Sequence, residues 1–266
     1  MAQNQTLVNR VAIVTGASAG IGEAIAVDLA SRGAGVVLNA RRESRLDELA
    51  QRLTDQYGAI NDTPRAIGVP GDASEDATID AMLHAAQEHY GKPADLIIAN
   101  AGRGLNGSVM TSDMSQWEEM IRTNLLGVSK LIRRSGEQLL ALNEQRDWSK
   151  HACDIVVLGS TVGRHISPFS SMYGATKFGV NSLAEAARRE LGPKGIRVTL
   201  IEPGIVKSEF QSVAGYDPQS FGDLMEKFSP VLVPEDVART IGFIVSQPAG
   251  MHVCDVVIRP TRQDYP

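Results

Sequence analysis

Tyr173 and Lys177 stand four residues apart in the run SSMYGATKFG, residues 170–179. Four residues is about one helical turn, so on a helix the phenol and the ammonium share one face. Such a pair is either an ordinary amphipathic contact or the acid–base part of a proton-transfer site. A phenol at its ordinary pKa of about 10 is a poor base near neutrality, and a cation one turn away stabilises the phenolate. Spacing alone leaves both readings open. A second candidate is TGASAGIG, residues 15–22, with glycines at 16, 20 and 22. A glycine-rich turn lets the backbone approach a pyrophosphate, and a helix opening behind it offers free N–H groups and a favourable dipole. The spacing is G-x3-G-x-G rather than the common G-x-G-x-x-G, and a tight turn without a ligand is the plain alternative.

The elements around these residues favour the chemical readings. Short apolar runs at 10–16, 35–40, 65–72, 94–102, 153–160, 196–204 and 254–260 read as strands, several apolar at consecutive positions, which suits a parallel sheet covered on both faces. Helical patterns fill the gaps at 20–32, 43–57, 74–90, 115–142, 171–191 and 234–246. The first ends before Gly33, a C-cap residue, and the last opens on Pro234 in a favourable first-turn position. The alternation predicts an α/β fold: a single-domain, doubly wound Rossmann sheet of about seven parallel strands with helices on both faces and right-handed crossovers, spanning residues 1–266. Residues 143–152 read as a solvated loop, and the long irregular stretch 205–233 as a substrate lid within the domain.

Composition narrows the partners. Of 266 residues, 43% are hydrophobic and 21% charged, and the net charge of -5 with no basic run argues against nucleic acid. No window approaches the roughly 18 uncharged apolar residues of a membrane span, and the N-terminal MAQNQTLVNR lacks an apolar h-region, so a cytoplasmic protein is expected. Cys153 and Cys254 both fall in strand-like apolar runs, reading as buried thiols in a reducing compartment, with a bridge as the alternative. No metal site is expected. His84 and His89 lie about 140° apart around a helix, and His252 and Cys254 alternate without further ligands. The partner is a small molecule.

Where the second strand ends, dinucleotide folds that take NAD place an acid for the ribose 2′-hydroxyl. Here the window is LNARRES, residues 38–44, with no acid before Glu43 and with Arg41 and Arg42 in its place. Guanidinium groups suit a 2′-phosphate, which predicts NADP(H), with NADPH preferred over NADH. The alternative is two solvated arginines opening the next helix, where they would oppose its dipole.

TGASAGIG, NAG at 100–102, Asn124, Ser160, YGATK at 173–177 and PG at 203–204 together resemble the short-chain dehydrogenase/reductase family, in matching order along almost the whole chain. Ser160 precedes Tyr173 by 13 residues, as in the family pattern. The resemblance implies that Asn124, Ser160, Tyr173 and Lys177 form the catalytic tetrad, with Lys177 also holding the nicotinamide ribose and Asn124 holding a water that extends the proton path. It implies that Gly16, Ser18, Gly20, Ile21 and Gly22 cradle the cofactor and that Asp72 sits beside adenine. Asn100, Ala101 and Gly102 would shape the cofactor strand, and Pro203, Gly204, Val206 and Ser208 the nicotinamide side. It further implies a homotetramer or homodimer with the helices around 115–142 and 171–191 at the interface. Ala99 replaces the usual first Asn of NNAG, and Ser208 stands where threonine is frequent. The ending DVVIRPTRQDYP is more similar to the branch of serine 3-dehydrogenases and related 3-hydroxy acid dehydrogenases than to the glycine-rich tail of 3-oxoacyl-carrier-protein reductases.

The chemistry so implied is hydride transfer between a nicotinamide cofactor and a carbonyl or secondary alcohol, with Tyr173 moving the proton and Ser160, at the end of the fifth strand, donating to the developing oxyanion. A pocket is expected from residues 161–165, Pro168, Phe169, Met172, Arg103 and the lid. Arg103 and Arg164 would greet a carboxylate, predicting a small hydroxy or keto acid. The alternatives are an apolar ketone, a sugar or a 3-oxoacyl thioester. From another class, the alternative is a non-catalytic NADP-binding regulator.

Overall fold

The computed structural model describes residues 5–264. The first four residues of the N-terminal segment and the last two of the C-terminal ending lie outside the described residues. Seven parallel strands form one sheet: β1 (Val11–Thr15), β2 (Gly35–Ala40), β3 (Ala66–Pro70), β4 (Leu96–Ala99), β5 (Cys153–Leu158), β6 (Ile196–Pro203) and β7 (Asp255–Ile258). Their order is β3-β2-β1-β4-β5-β6-β7. The chain winds outward from β1 to β3, crosses back to β4 on the other side of β1, and winds outward again to β7. The reversal between β1 and β4 opens a crevice at their carboxyl ends, the place where open α/β sheets bind ligands.

Successive strand side chains serve opposite faces, which is why the runs are apolar at consecutive positions. Ala12, Val14, Val36 and Leu38 join one core with helices α1 (Gly20–Ser31) and α2 (Glu43–Tyr57). Val11, Ile13 and Val37 join the opposite core, with α3 (Asp76–Tyr90). The second core also takes one side of the helical segment after β4, which departs from the single helix expected over 115–142. There a 3-10 turn (Met114–Gln116) leads into α4 (Trp117–Ile121), a π turn (Arg122–Gly127) and α5 (Val128–Glu144). π turns inside helices are frequent at functional sites, and this one carries Asn124.

Helix α6 (Ser171–Leu191) brings Tyr173 and Lys177 back to the crevice. The stretch 205–233 is more regular than its composition suggests, forming α7 (Phe210–Val213) and α8 (Pro218–Phe228) before α9 (Pro234–Val245). Asp217 caps α8 by accepting from the Ser220 amide at 2.7 Å. Cys153 is buried as expected, and burial pushes its thiol up to about 11. Cys254 is exposed rather than buried, because it precedes β7, an edge strand whose outward positions are open to solvent. Both thiols are free. Among the described residues no helix is long and apolar enough to cross a membrane.

Candidate active site

At the end of β1, Gly16 and Gly20 adopt left-handed φ of +68° and +58°. A Cβ on Gly22 would lie 2.2 Å from the Gly16 carbonyl oxygen, so only glycine lets α1 start this close to the turn. Asn100 braces the turn from the neighbouring strand, its Nδ2 donating to the Thr15 carbonyl at 2.8 Å. Thr15 Oγ1 accepts from the amides of Asn100 and Ala101, both at 3.0 Å, and donates to the Ile98 carbonyl. The first amides of α1 have no intrahelical acceptor and open on this cradle. Ser208 closes over the same turn, its Cβ 3.4 Å from where a Gly20 Cβ would be. Pro203 ends β6. The Gly204 amide donates to the Ile258 carbonyl at 2.7 Å, and Val206 is buried beside Leu232.

Beyond β2, Arg42 donates through Nη2 to Ser18 Oγ at 2.9 Å and lies 3.5 Å from the Glu209 carboxylate. Arg41 is exposed and lies 3.5 Å from Glu119. Asp72 accepts from the Ser74 amide and hydroxyl at 2.9 and 2.7 Å and pairs with Arg122 at 3.0 Å. Burial works against its charge, yet these partners hold the carboxyl below its ordinary range.

Tyr173 and Lys177 are both buried. The Lys177 ammonium lies 5.9 Å from the centre of the Tyr173 ring and donates to the Leu158 carbonyl at 2.6 Å. Burial pulls it down to about 8. Burial also pushes the Tyr173 phenol well up from 10, opposed by a hydrogen bond with Ser160 and reinforced by Tyr216. A cation one turn away is expected to draw the phenol down. In this geometry burial dominates both groups, and Tyr173 is held in its protonated form. Ser160, extended at the end of β5, also accepts from the Val162 amide at 3.3 Å.

Asn124 is fully buried in the π turn, and its amide acts as a backbone surrogate. Oδ1 accepts from Arg103 N at 2.8 Å, while Nδ2 donates to Arg103 O at 2.8 Å and to Thr176 Oγ1 at 3.1 Å. Thr176 in turn donates to the Tyr173 carbonyl at 2.7 Å. Asn124 thereby ties the segment after β4 to α6. Thr15, Thr176 and Tyr216 all serve this architecture without having been singled out. The two threonines lie within the quoted motifs, whereas Tyr216 belongs to no pattern.

The expected carboxylate-binding arginines are otherwise engaged. Arg103 pairs with Glu119 and Gln116. Arg164 donates to Glu202 at 3.0 Å and to Asp255 at 2.8 Å, stitching the loop after β5 to β6 and β7. Glu202 is wholly buried, so removing its cation strands a charge in the interior. Arg164→Ala should therefore lower stability by about 2 kcal/mol, a figure reduced because the guanidinium is part-exposed. Thermal unfolding should show a Tm about 4 °C lower, with partial recovery in Arg164→Lys; an unchanged Tm would contradict the pairing.

The described sequence matches the family description "short chain dehydrogenase" over residues 10–218. An uncharacterised oxidoreductase of Staphylococcus epidermidis is 33% identical over 251 residues, covering 94% of this chain and 97% of the relative. Among solved structures, the closed form of serine dehydrogenase complexed with NADP+ is similar with a TM-score of 0.81 and 27% identity, covering 96% of each chain. The 3-ketoacyl-(acyl-carrier-protein) reductase of Brucella melitensis complexed with NADH has a TM-score of 0.83 and 26% identity, covering 96% of this chain and 99% of that one.

Proposed function

The chain belongs to the short-chain dehydrogenase family, and from that premise we propose that it interconverts a carbonyl and a secondary alcohol using NADP(H), with Tyr173 as acid and base. The observation carrying this is the burial of Tyr173 between Lys177, Ser160 and the crevice beside the glycine turn.

The cradle fits a dinucleotide: the turn has no room for a Cβ at Gly22, and amides of α1 face outward from it. Gly16, Ser18, Gly20, Ile21 and Gly22 would hold the pyrophosphate side, Asp72 and Asn100 to Gly102 the adenosine side, and Pro203, Gly204, Val206 and Ser208 the nicotinamide side. When bound, the cofactor supplies or accepts the hydride. Lys177 holds a positive charge beside the phenol and the ribose. Ser160 donates to the oxygen that gains charge, and Tyr173 gives it a proton. Asn124, with both ends of its amide engaged, fixes the segment after β4 against α6 and keeps these groups in register. Residues 205–233 form the lid within a single domain over 1–266.

The Arg42 contact to Ser18 supports NADP(H), because the two side chains converge where a 2′-phosphate would extend beyond β2 and the end of β2 carries no acid before Glu43, the nearest carboxylate to Arg42 being that of Glu209 at 3.5 Å. Arg41 is the second cation of this corner. Arg42→Ala should raise the KM for NADPH about 30-fold, equivalent to one charge-assisted hydrogen bond of about 2 kcal/mol, and that for NADH less than 3-fold. Steady-state titration of both cofactors checks this, and equal effects would contradict the preference.

Two free thiols support a reducing, cytoplasmic location. The exposed Leu126 and Phe178, on the π turn and α6, support a homo-oligomer through that face, which light scattering reads directly. Arg103 and Arg164, each paired with acids, weaken the support for a small hydroxy or keto acid.

A further inference from the structure

Three segments border the space above Tyr173, and backbone hydrogen bonds fasten them to one another. Gly107 N donates to the Phe169 carbonyl at 2.8 Å, and Ser171 N returns a bond to Gly107 at 3.3 Å. Asn106 N donates to the Ala214 carbonyl at 2.9 Å, bringing the end of α7 against the same segment. These bonds bring residues 106–107, 169–171 and 214 together although they are far apart in sequence, and Val109, Phe169 and Val213 stand in or beside the joined segments. Their side chains are 58%, 71% and 60% exposed. Single exposed apolar residues are ordinary, but three on segments fastened to one another beside Tyr173 offer an apolar surface, or rim, for something to cover.

The floor below the rim is apolar as well. Leu105, Met120 and Tyr173 form a buried cluster, with Trp117, Val162, Met172 and Phe210 packed against it. The Phe210 ring lies 5.5 Å from that of Tyr173. Tyr216 adds an aromatic wall, its ring 5.5 Å from Phe221 and its hydroxyl bonded to Ser170. The arginines near this floor both pair with acids, Arg103 with Glu119 through a terminal nitrogen while its buried Nε has no partner, and Arg164 with Glu202 and Asp255. An entering carboxylate at either arginine would meet Glu119, or Glu202 and Asp255, as a like charge.

We propose that the substrate is an uncharged ketone, or the secondary alcohol made from it, carrying an apolar chain or ring that leaves the site between Val109, Phe169 and Val213. The proposal rests on the catalytic reading above. In the reductive direction a hydride from NADPH forms the new C–H bond at the carbonyl carbon while the C=O π pair moves to oxygen. Tyr173 protonates that oxygen and is itself reprotonated from solvent, so the ketone is reduced and NADPH oxidised by two electrons. The apolar tail binds where it removes rim and floor from water, and each methylene that reaches the rim adds to kcat/KM.

The test is NADPH oxidation with 2-butanone, 2-hexanone, 2-octanone and acetophenone set against the matched acids 3-oxobutanoate and 2-oxooctanoate. We expect kcat/KM to rise roughly 30-fold from 2-butanone to 2-octanone, about two- to threefold per methylene, and to exceed that for 2-oxooctanoate at least 100-fold. Phe169→Ser combined with Val213→Ser, both at exposed positions, should collapse the octanone-to-butanone ratio to within about 3-fold. An acid reduced as well as its matched ketone, a flat chain-length series, or failure to reduce any ketone while NADPH binds would each overturn the proposal. Its failure is separable from that of the catalytic reading. Preference for acids with Tyr173→Phe inactive removes only the apolar substrate class, whereas undiminished ketone reduction by Tyr173→Phe removes the catalytic assignment.

Discussion

Tyr173→Phe should lower kcat/KM by about a thousand-fold or more in either direction while leaving NADPH affinity within about 3-fold. The substitution removes a single hydroxyl, and the ring keeps its place in the floor beside Phe210 and under Lys177. Stability should change by no more than about 1 kcal/mol, since the lost hydrogen bond to Ser160 leaves that hydroxyl still accepting from Val162. A fall in turnover without a comparable fall in Tm or cofactor affinity is thus the signature of a lost proton donor rather than a lost fold. The direction of reaction adds a second signature. Because burial raises the Tyr173 phenol, the protonated form persists across neutral pH, so ketone reduction should be flat between about pH 6 and 8. Alcohol oxidation needs the phenolate and should climb with pH over the same interval. Residual turnover above a few per cent in Tyr173→Phe, with the same pH profiles, would assign the proton to another group.

What the sequence made legible follows from where the determining interactions lie. Strands buried on both faces are apolar at most consecutive positions, so β1, β2, β5 and β6 announce themselves even with Asn39, Asp154, Arg197 and Glu202 among them. Helices α2 and α6 begin and end at the expected residues because their patterning and termini are local. The π turn around Asn124 leaves no mark on the apolar period, since its contact is with the backbone of Arg103, 21 residues earlier. Cys254 reads as buried by residue type, yet exposure depends on β7 being the last strand of the sheet, a fact of strand order. Arg164 reads as a ligand for carboxylate, but its acids arrive from positions 38 and 91 residues away. Asn124, Ser160, Tyr173 and Lys177 were singled out as a group only by the resemblance to a family. The competition between burial and charge at Tyr173 and Lys177 could not be read there, because desolvation depends on side chains such as Leu105, Met120 and Phe210 that the fold packs around Tyr173.

Lys177→Met should abolish useful turnover and at the same time stabilise the folded chain at neutral pH. Burial lowers the Lys177 ammonium from 10.5 to about 8. Below pH 8 the ammonium is charged in both states, and the folded state carries the full desolvation cost, about 3 kcal/mol for a difference of this size. Between about 8 and 10.5 the unfolded chain binds the extra proton, so stability rises with pH through that window and the cost is relieved above it. Methionine fills similar space without the charge and forfeits the hydrogen bond to the Leu158 carbonyl, about 1 kcal/mol. The difference leaves about 2 kcal/mol in favour of the variant at pH 7, a Tm about 4 °C higher that converges with the parent near pH 10. Turnover should fall at least 100-fold, because the cation beside the phenol is gone, and NADPH should bind about 10-fold more weakly if the same ammonium holds the ribose. In the parent chain, ketone reduction should decline above about pH 8 as Lys177 loses its proton. A variant that is both inactive and less stable at pH 7 would mean that Lys177 is not held in the desolvated position described, and with it the electrostatic part of the mechanism would fall.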